Sequence, residues 1–484
     1  MRFYNRKNEL MVLEKLLEIP DKSVIAIIVG MRRVGKTELI KQFFMDKEGI
    51  YLYVDNEKTQ NELLLEFNKT LVSELSLPSY VKAESFEDII KIMFGESKNK
   101  KIIIAIDEFQ RFMNQYPSFI TQLQKYFDLN VNTSNLFLII SGSAIGMMKK
   151  IFEDKKAPLF GRSHNTIYLK PFSFKIISKI LNDFGIADFE DIVKFYSIYG
   201  GMPRYYILIC DFKIKEPMES INDLLLNDLA PLRKEVRTVI TEEFGKEVQA
   251  YYGILTAIAL GKTKSNEIAN HIGIKETSLS PYLNDLIDVL EVIKREIPVT
   301  ESLKSKRSRY YLKDNFFRFW FRFIYRNRSY YEVGNYDPIL NEIQQNFNSY
   351  VGLSFEEICK EFLTGINKNK KLPFYFDEIG KWWGSYRDEK TGKRKSDEID
   401  IVALNKQNKQ KKEILFVEVK WKTLNINDTK KILDELKEKS RYVNWYNNDR
   451  YEYFGVIAKK IEGKEELREE DVVLFDLSDI LSLI

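Results

Sequence analysis

The run Gly30-Met31-Arg32-Arg33-Val34-Gly35-Lys36-Thr37 has the residue types and spacing to enclose a polyphosphate. Its glycines let backbone N–H groups turn inward, and the positive end of a following helix adds to their pull on an anion. Lys36 is the expected point charge for the β- and γ-phosphates, and the Thr37 hydroxyl an expected ligand of Mg²⁺. Glu38, the next residue, completes the expected nucleotide-binding set. Further on, the apolar run 102–106 ends in Asp107-Glu108. Asp107 is expected in the metal's water shell and Glu108 as the general base that polarises the attacking water. A third apolar run, 136–140, ends in Ser141. Its hydroxyl is placed either to touch the γ-phosphate and orient the water or simply to end a strand. Arg162, within Leu159-Phe160-Gly161-Arg162, is a candidate to reach the γ-phosphate in trans, as arginine fingers do. ATP and Mg²⁺ are the cofactors this chemistry calls for.

These residues need a particular scaffold. A strand at 23–29 followed by the glycine turn and a helix at 36–46 is the context that such a loop requires. A strand at 50–54, helices over 58–75 and 84–95, and strands at 101–106 and 136–141 follow. Apolar strands alternating with helices predict a doubly wound α/β domain with a buried parallel sheet. The chain has 484 residues, too many for one core. The expected divisions are 1–170 for the nucleotide-binding core, 171–243 for a helical lid, 244–312 for a winged helix, 313–345 for a helical connector and 346–484 for a second α/β unit.

Hydrophobic residues make up 44% and charged residues 30%, the balance of a soluble globular protein. A net charge of +4 neither demands nor excludes a nucleic-acid partner. With two cysteines far apart and two histidines, a disulfide framework or zinc site is not expected. No apolar run approaches the ~20 residues of a membrane helix, and no signal core follows Met1, so a cytoplasmic setting without membrane contact is expected.

Several motifs taken together resemble those of a known family. Phe3-Tyr4-Asn5-Arg6-Lys7-Asn8-Glu9-Leu10, the loop 30–37, Ile106-Asp107-Glu108-Phe109-Gln110, Ser141-Gly142-Ser143, Phe160-Gly161-Arg162 and Gly200-Gly201-Met202-Pro203-Arg204-Tyr205 look, in order, like a group of archaeal and bacterial AAA+ ATPases related to signal-transducing NTPases. The resemblance implies ATP hydrolysis, places the Asn5–Glu9 box with Arg6 near the adenine, and puts Gly200–Tyr205 in the lid. It also implies a C-terminal nuclease-like domain of unknown function. Consistent with that, Asp400 and then Glu418-Val419-Lys420 look like the D…E-x-K core of the PD-(D/E)XK nuclease fold, and Glu356 resembles that fold's first acidic position. Glu418 and Lys420 fall on one strand face by the period-two rule. There Asp400 and Glu418, with Glu356, are candidate Mg²⁺ ligands, and Lys420 is placed to orient a hydroxide toward a phosphodiester.

Between these sites, residues 265–283 read as helix–turn–helix, with Gly273 at the turn and Leu279, Leu283, Leu286 and Leu290 as a core stripe. A hairpin wing follows, with the basic tip Lys304-Ser305-Lys306-Arg307-Ser308-Arg309. Such a wing can grip DNA or contact protein, and both readings stay open. Arg318, Arg322 and Arg326 recur every fourth residue among aromatics, which reads first as a charged face opposite a buried one. Two functions therefore compete: an ATP-driven switch coupled to a DNA-binding or DNA-cutting module, and an ATP-dependent scaffold or signalling protein that binds protein partners. Oligomerisation is compatible with either.

Overall fold

The computed structural model describes residues 2–245, 248–302, 304–387, 392–408, 410–467 and 469–483. Helix α1 (Lys7–Leu17) leads into strand β1 (Val24–Val29), whose six residues are all buried. A strand apolar on both faces belongs in the middle of a parallel sheet covered by helices. Strands β2 (Gly49–Tyr53), β3 (Ile102–Asp107), β4 (Leu136–Gly142) and β5 (Asn165–Tyr168) complete that sheet in the order β2-β3-β4-β1-β5, every pair parallel. Helices α2 (Lys36–Phe44), α3 (Gln60–Glu74), α4 (Phe86–Glu96), α5 (Ser118–Asn130) and α6 (Ile145–Phe152) connect and cover it. In register, Val29 lies opposite Gly142 and Tyr53 opposite Asp107, so the residues that follow β1, β3 and β4 emerge at one edge. That edge, outside the carboxyl ends of the strands, is where α/β sheets bind ligands.

A helical layer follows: α7 (Phe174–Asp183), α8 (Phe189–Tyr199) and α9 (Pro203–Asp211). Gly201 packs so tightly on Phe172 that an added Cβ would lie 2.0 Å from the Phe172 carbonyl oxygen, which seats α9 against the mouth of the loop. Helix α10 (Glu235–Phe244) then crosses back under the loop, and α11 (Gln249–Ala259), α12 (Ser265–Ile272) and α13 (Ser280–Asn284) follow. Gly273 closes α12 at φ 74°, a left-handed turn that glycine adopts without cost. Strands β6 (Ile293–Glu296) and β7 (Arg309–Leu312) pair antiparallel.

Helix α14 (Asp337–Lys368) is one continuous 32-residue element, so position 345 lies well inside it. It packs on a second sheet of β8 (Glu378–Arg387), β9 (Arg394–Leu404), β10 (Lys412–Leu424), β11 (Arg450–Ile461) and β12 (Val472–Phe475), ordered β12-β11-β10-β9-β8. The pairs β8–β9 and β9–β10 are antiparallel; after the crossover helix α15 (Ile426–Ser440), β10–β11 and β11–β12 are parallel. The edge strand β8 is not left open: the Val299 N–H, in the β6–β7 loop, donates to the Lys381 carbonyl at 2.9 Å. Among the described residues no helix is long and apolar enough to cross a membrane.

Candidate functional site

The loop between β1 and α2 wraps one end of a cavity of about 780 Å³. Gly35, at φ 97°, and Arg33, at φ 67°, hold the left-handed backbone that turns the loop's amides inward. Lys36 is buried, and its Nζ donates to the carbonyls of Gly30 at 2.9 Å and Met31 at 3.2 Å. Burial pulls its ammonium below the usual lysine range, against the opposing fields of Glu108 and Asp107. Asp107 is saturated with donors: Oδ2 accepts from the Thr37 hydroxyl at 2.8 Å and from Tyr51 at 2.6 Å, and Oδ1 accepts from the Glu108 N–H at 2.9 Å and from the Ser141 hydroxyl. Thr37 and Asp107 thus face one point, as a hydrated Mg²⁺ shared between them needs. Glu108 sits at φ 57°, and its Oε2 accepts from Ser143 at 2.7 Å and Gln110 at 2.6 Å. A carboxylate fixed in this way at the cavity wall has the chemistry to take a proton from water.

The other end of the cavity is apolar and aromatic: Phe3, Tyr4, Phe172, Pro203 and Ile207 line it, with Arg6 beside them. Arg6 is buried; its guanidinium lies 4.6 Å over the Phe172 ring and donates to the carbonyls of Lys170 at 2.7 Å and Val34 at 3.3 Å. Through that one side chain the N-terminal segment, the loop and the stretch leading into α7 are joined. The apolar end has the chemistry to take a flat base, and the loop the chemistry to take phosphates.

The C-terminal carboxylates gather at an irregularity in the second sheet. Gly380 and Trp382 of β8 pair with Val402 and Ile399 of β9, so two steps on one strand match three on the other, and Asp400 sits in the resulting bulge. The Val419 N–H donates to Asp400 Oδ2 at 2.8 Å. Burial, then the like charges of Glu418 and Glu356, push the Asp400 carboxyl up to about 7. Glu418 Oε1 takes Lys420 at 3.0 Å and Lys439 at 3.4 Å, while Glu418 Oε2 is buried without a hydrogen-bond partner. Glu356 faces Lys381 in an ion pair. Asp400 and the orphaned Glu418 oxygen fit a hydrated divalent cation; no group of three or more metal-ligating side chains lies close enough among the described residues to cage one.

A family model described as an ATPase domain predominantly from Archaea matches residues 3–209. A second, of archaeal and bacterial proteins of unknown function, matches residues 320–432. An uncharacterized protein of Methanocaldococcus jannaschii is 37% identical over 479 residues, 99% of each chain. The chain belongs to the archaeal-type ATPases. A protein of Haemophilus influenzae is 26% identical over 224 residues, 45% of this chain and 49% of that one. The Walker-type ATPase PABY2304 of Pyrococcus abyssi has the same fold, with TM-score 0.52 and 19% identity over 66% of this chain and 96% of that one. The core is accordingly an α/β P-loop unit, and the protein is an ATPase.

In this archaeal-type ATPase the predicted site residues fall into three places. Arg6, the loop residues from Arg32 to Glu38, Asp107 and Glu108 border the nucleotide cavity; Gly30 and Met31 lie behind Lys36 as its carbonyl partners. Ser141 lies under the cavity, bonded to Asp107, and Ser143, two residues on, is the one that meets Glu108. Arg162 does not border the cavity. Asp128 holds it at 2.8 and 2.7 Å, and it also donates to the carbonyls of Pro158 and Phe160. Asp400, Glu418, Lys420 and Glu356 converge far away in sequence, at the second sheet. Other charged groups reach these sites through the tertiary fold: Arg204 on α9, whose motif the sequence showed without a role for this side chain, and Glu243 on α10 and Lys439 on α15, which carry no local signal.

Proposed function

We propose that this ATPase is a switch in which Mg-ATP at the loop governs a winged helix and a C-terminal module that binds and cuts nucleic acid. Lys36 holds the β- and γ-phosphates, Thr37 and Asp107 hold Mg²⁺, which screens phosphate charge, and Glu108 takes the proton of the attacking water. Arg204, exposed on the lid at the cavity mouth, adds positive charge as the lid closes. The divisions 1–170, 171–243, 244–312, 313–345 and 346–484 are the functional units, and the setting is cytoplasmic. What carries the nuclease reading is one juxtaposition: Asp400 in a bulge beside Glu418 and Lys420, within an α–β–β–β–α–β order made by α14, β8, β9, β10, α15 and β11. Two carboxylates would hold the cation, and Lys420, 3.9 Å from Asp400, would orient the nucleophile.

A second reading, a scaffold that binds protein through the same modules, is favoured by the fate of the basic residues. Wing Arg307 pairs with Glu301 and Arg309 with Glu398; Arg318 bonds Asn315 and Ser354, Arg322 the Ala259 carbonyl, and Arg326 Glu342. Arg309, Arg318 and Arg322 are half-buried and committed to partners within the chain, while Arg307 and Arg326 are exposed but paired. Nicking of supercoiled DNA by the full chain, with Mg²⁺ and with or without ATP, separates the two. Cutting that disappears in Asp400→Ala and Lys420→Ala supports the switch-nuclease. Absence of both cutting and salt-sensitive DNA retention supports the scaffold.

A further inference from the structure

Three arginines, Arg32, Arg33 and Arg204, border the cavity, while a fourth, Arg162, lies at the opposite edge of the sheet, just before the residues that pair with the start of β1; their partners separate them. Arg162 is held in a two-pronged grip by Asp128 outside the cavity. Arg33 pairs with Glu235 of α10, whose side chain is only 3% exposed. Pulling Arg33 away would strand a buried carboxylate at a cost of about 3–5 kcal/mol, so it stays. Arg204 depends on the lid. Arg32 differs from all three: it is part of the loop, it borders both the nucleotide cavity and a small adjoining cavity lined by Met31, Ser143 and Glu243, and its partner is Glu242 of α10. That pair is open to solvent, with side chains 38% and 46% exposed. An ion pair so exposed contributes about 1 kcal/mol or less, whereas a multiply charged phosphate in an enclosed pocket draws a guanidinium into two-pronged contact.

We propose that Arg32 is the arginine that neutralises charge on the transferring γ-phosphoryl group, from within the same chain, and that Glu242 holds it until a triphosphate binds. This rests on ATP hydrolysis at the loop. A water oxygen bonds to the γ-phosphorus, the bridging bond to the β-phosphate breaks with its electron pair leaving on ADP, and the water's proton passes to Glu108. Arg32 donates hydrogen bonds to γ-phosphate oxygens throughout and emerges unchanged, so it is a catalytic residue and Glu242 a positioning one. Once Arg32 turns inward, α10 loses a tie to the loop; ADP, lacking the γ-phosphate, leaves that tie in place.

The test compares ATP turnover with the affinities for ADP and for ADP–aluminium fluoride, a mimic of the transition state. Arg32→Met should lower kcat at least about 100-fold, keep ADP affinity within about threefold, and lose the extra tightness of the fluoride complex; Arg32→Lys should recover part of it. Glu242→Gln should tighten ATP severalfold relative to ADP. Turnover in Arg32→Met within about threefold of the parent overturns the proposal, as does a parallel loss of ADP and fluoride-complex affinity, which would make Arg32 a residue that shapes the loop. If Arg32→Met does not fold, Arg32→Lys and Glu242→Gln decide by the same measures. Unaltered turnover in Lys36→Ala would instead sink the assignment of hydrolysis to this loop.

Discussion

Glu108 holds a backbone position that costs energy to maintain. A non-glycine residue at φ 57° is uncommon, and the structure holds it there with Ser143 and Gln110 on its carboxylate and its own amide on Asp107. Glu108→Gln should therefore reduce turnover by two or more orders of magnitude while ATP binding persists; Lys36→Ala should lose both. Single-turnover hydrolysis and nucleotide titration separate these outcomes, and unchanged hydrolysis in both variants would remove the catalytic assignment. Glu243 offers a pH signature. Burial, then the nearby Glu108 charge, raises its carboxyl to about 7. A carboxyl raised on folding makes the native state bind more protons than the unfolded chain, so stability is lost as pH climbs from about 4.5 through 7. Glu243→Gln should flatten that decline and leave the protein more stable at pH 8, by on the order of 2 kcal/mol after discounting for solvent screening; melting curves at pH 5 and pH 8 measure it. The sequence revealed Lys36, Thr37, Asp107 and Glu108 because their chemistry is written in contiguous motifs at strand ends. It hid Glu243 and Ser143's role because those depend on α10 crossing under the loop and on a rotation of two residues along one strand end.

Among the elements, the alternation of strands and helices made the first sheet legible up to β4, since β1, β3 and β4 are buried throughout and β2 buries every second residue. Strand β5, with the burial pattern of a sheet margin and only one buried residue in four, has no such signature. In the second sheet β9 and β10 were visible by their apolar runs, but β8 was not, because its two buried tryptophans stand among glycine, lysine and other half-buried or exposed residues. What β8 does became apparent only in the fold: it receives the wing. Gly380 lets Val299 approach until an added Cβ would lie 3.1 Å from the Val299 Cβ, Arg309 lies 4.7 Å over the Trp383 ring, and Lys294 bonds Glu357 at 2.5 Å. Gly380→Val separates docking from folding. Valine suits a strand better than glycine does, so the sheet should persist while the bulkier side chain displaces the wing loop. Amide exchange should speed up at Val299, whose N–H donates to the Lys381 carbonyl, and across β6–β7, with ATP turnover at saturating ATP changed less than about threefold. Slow exchange in the variant would mean that the wing is not seated by this contact. The arginine series at 318, 322 and 326 belongs to the same lesson: its period was readable, and its targets, Ser354, the Ala259 carbonyl and Glu342, were not.

Across the whole molecule the two sites are joined by packed elements in series. Ser143, bonded to Glu108, stands just before α6, and Gly146 of α6 lies so close to Val289 that an added Cβ would be 2.9 Å away. Val289 precedes β6, β6 carries Lys294 to Glu357, and Glu357 neighbours Glu356 at the second sheet. Burial works against the Glu357 charge, yet Lys294 outweighs it and brings the carboxyl down to about 2, so this clasp holds at any ordinary pH. If a nucleotide-dependent shift at Glu108 alters the α6–Val289 contact, the wing must respond, and linkage requires the reverse effect on ATP affinity by the same factor. Glu108→Gln loaded with ATP should therefore exchange faster over 293–312 and 378–387 than the same protein with ADP. Gly380→Val, which frees the wing in advance, should bind ATP more tightly by about 5-fold or more, the lower end of a typical coupling free energy of about 1–3 kcal/mol, with ADP affinity unchanged. Both measurements test one quantity from opposite ends. A wing indifferent to ATP, together with an ATP affinity indifferent to the wing, would leave two domains that share a chain and a clasp but no switch.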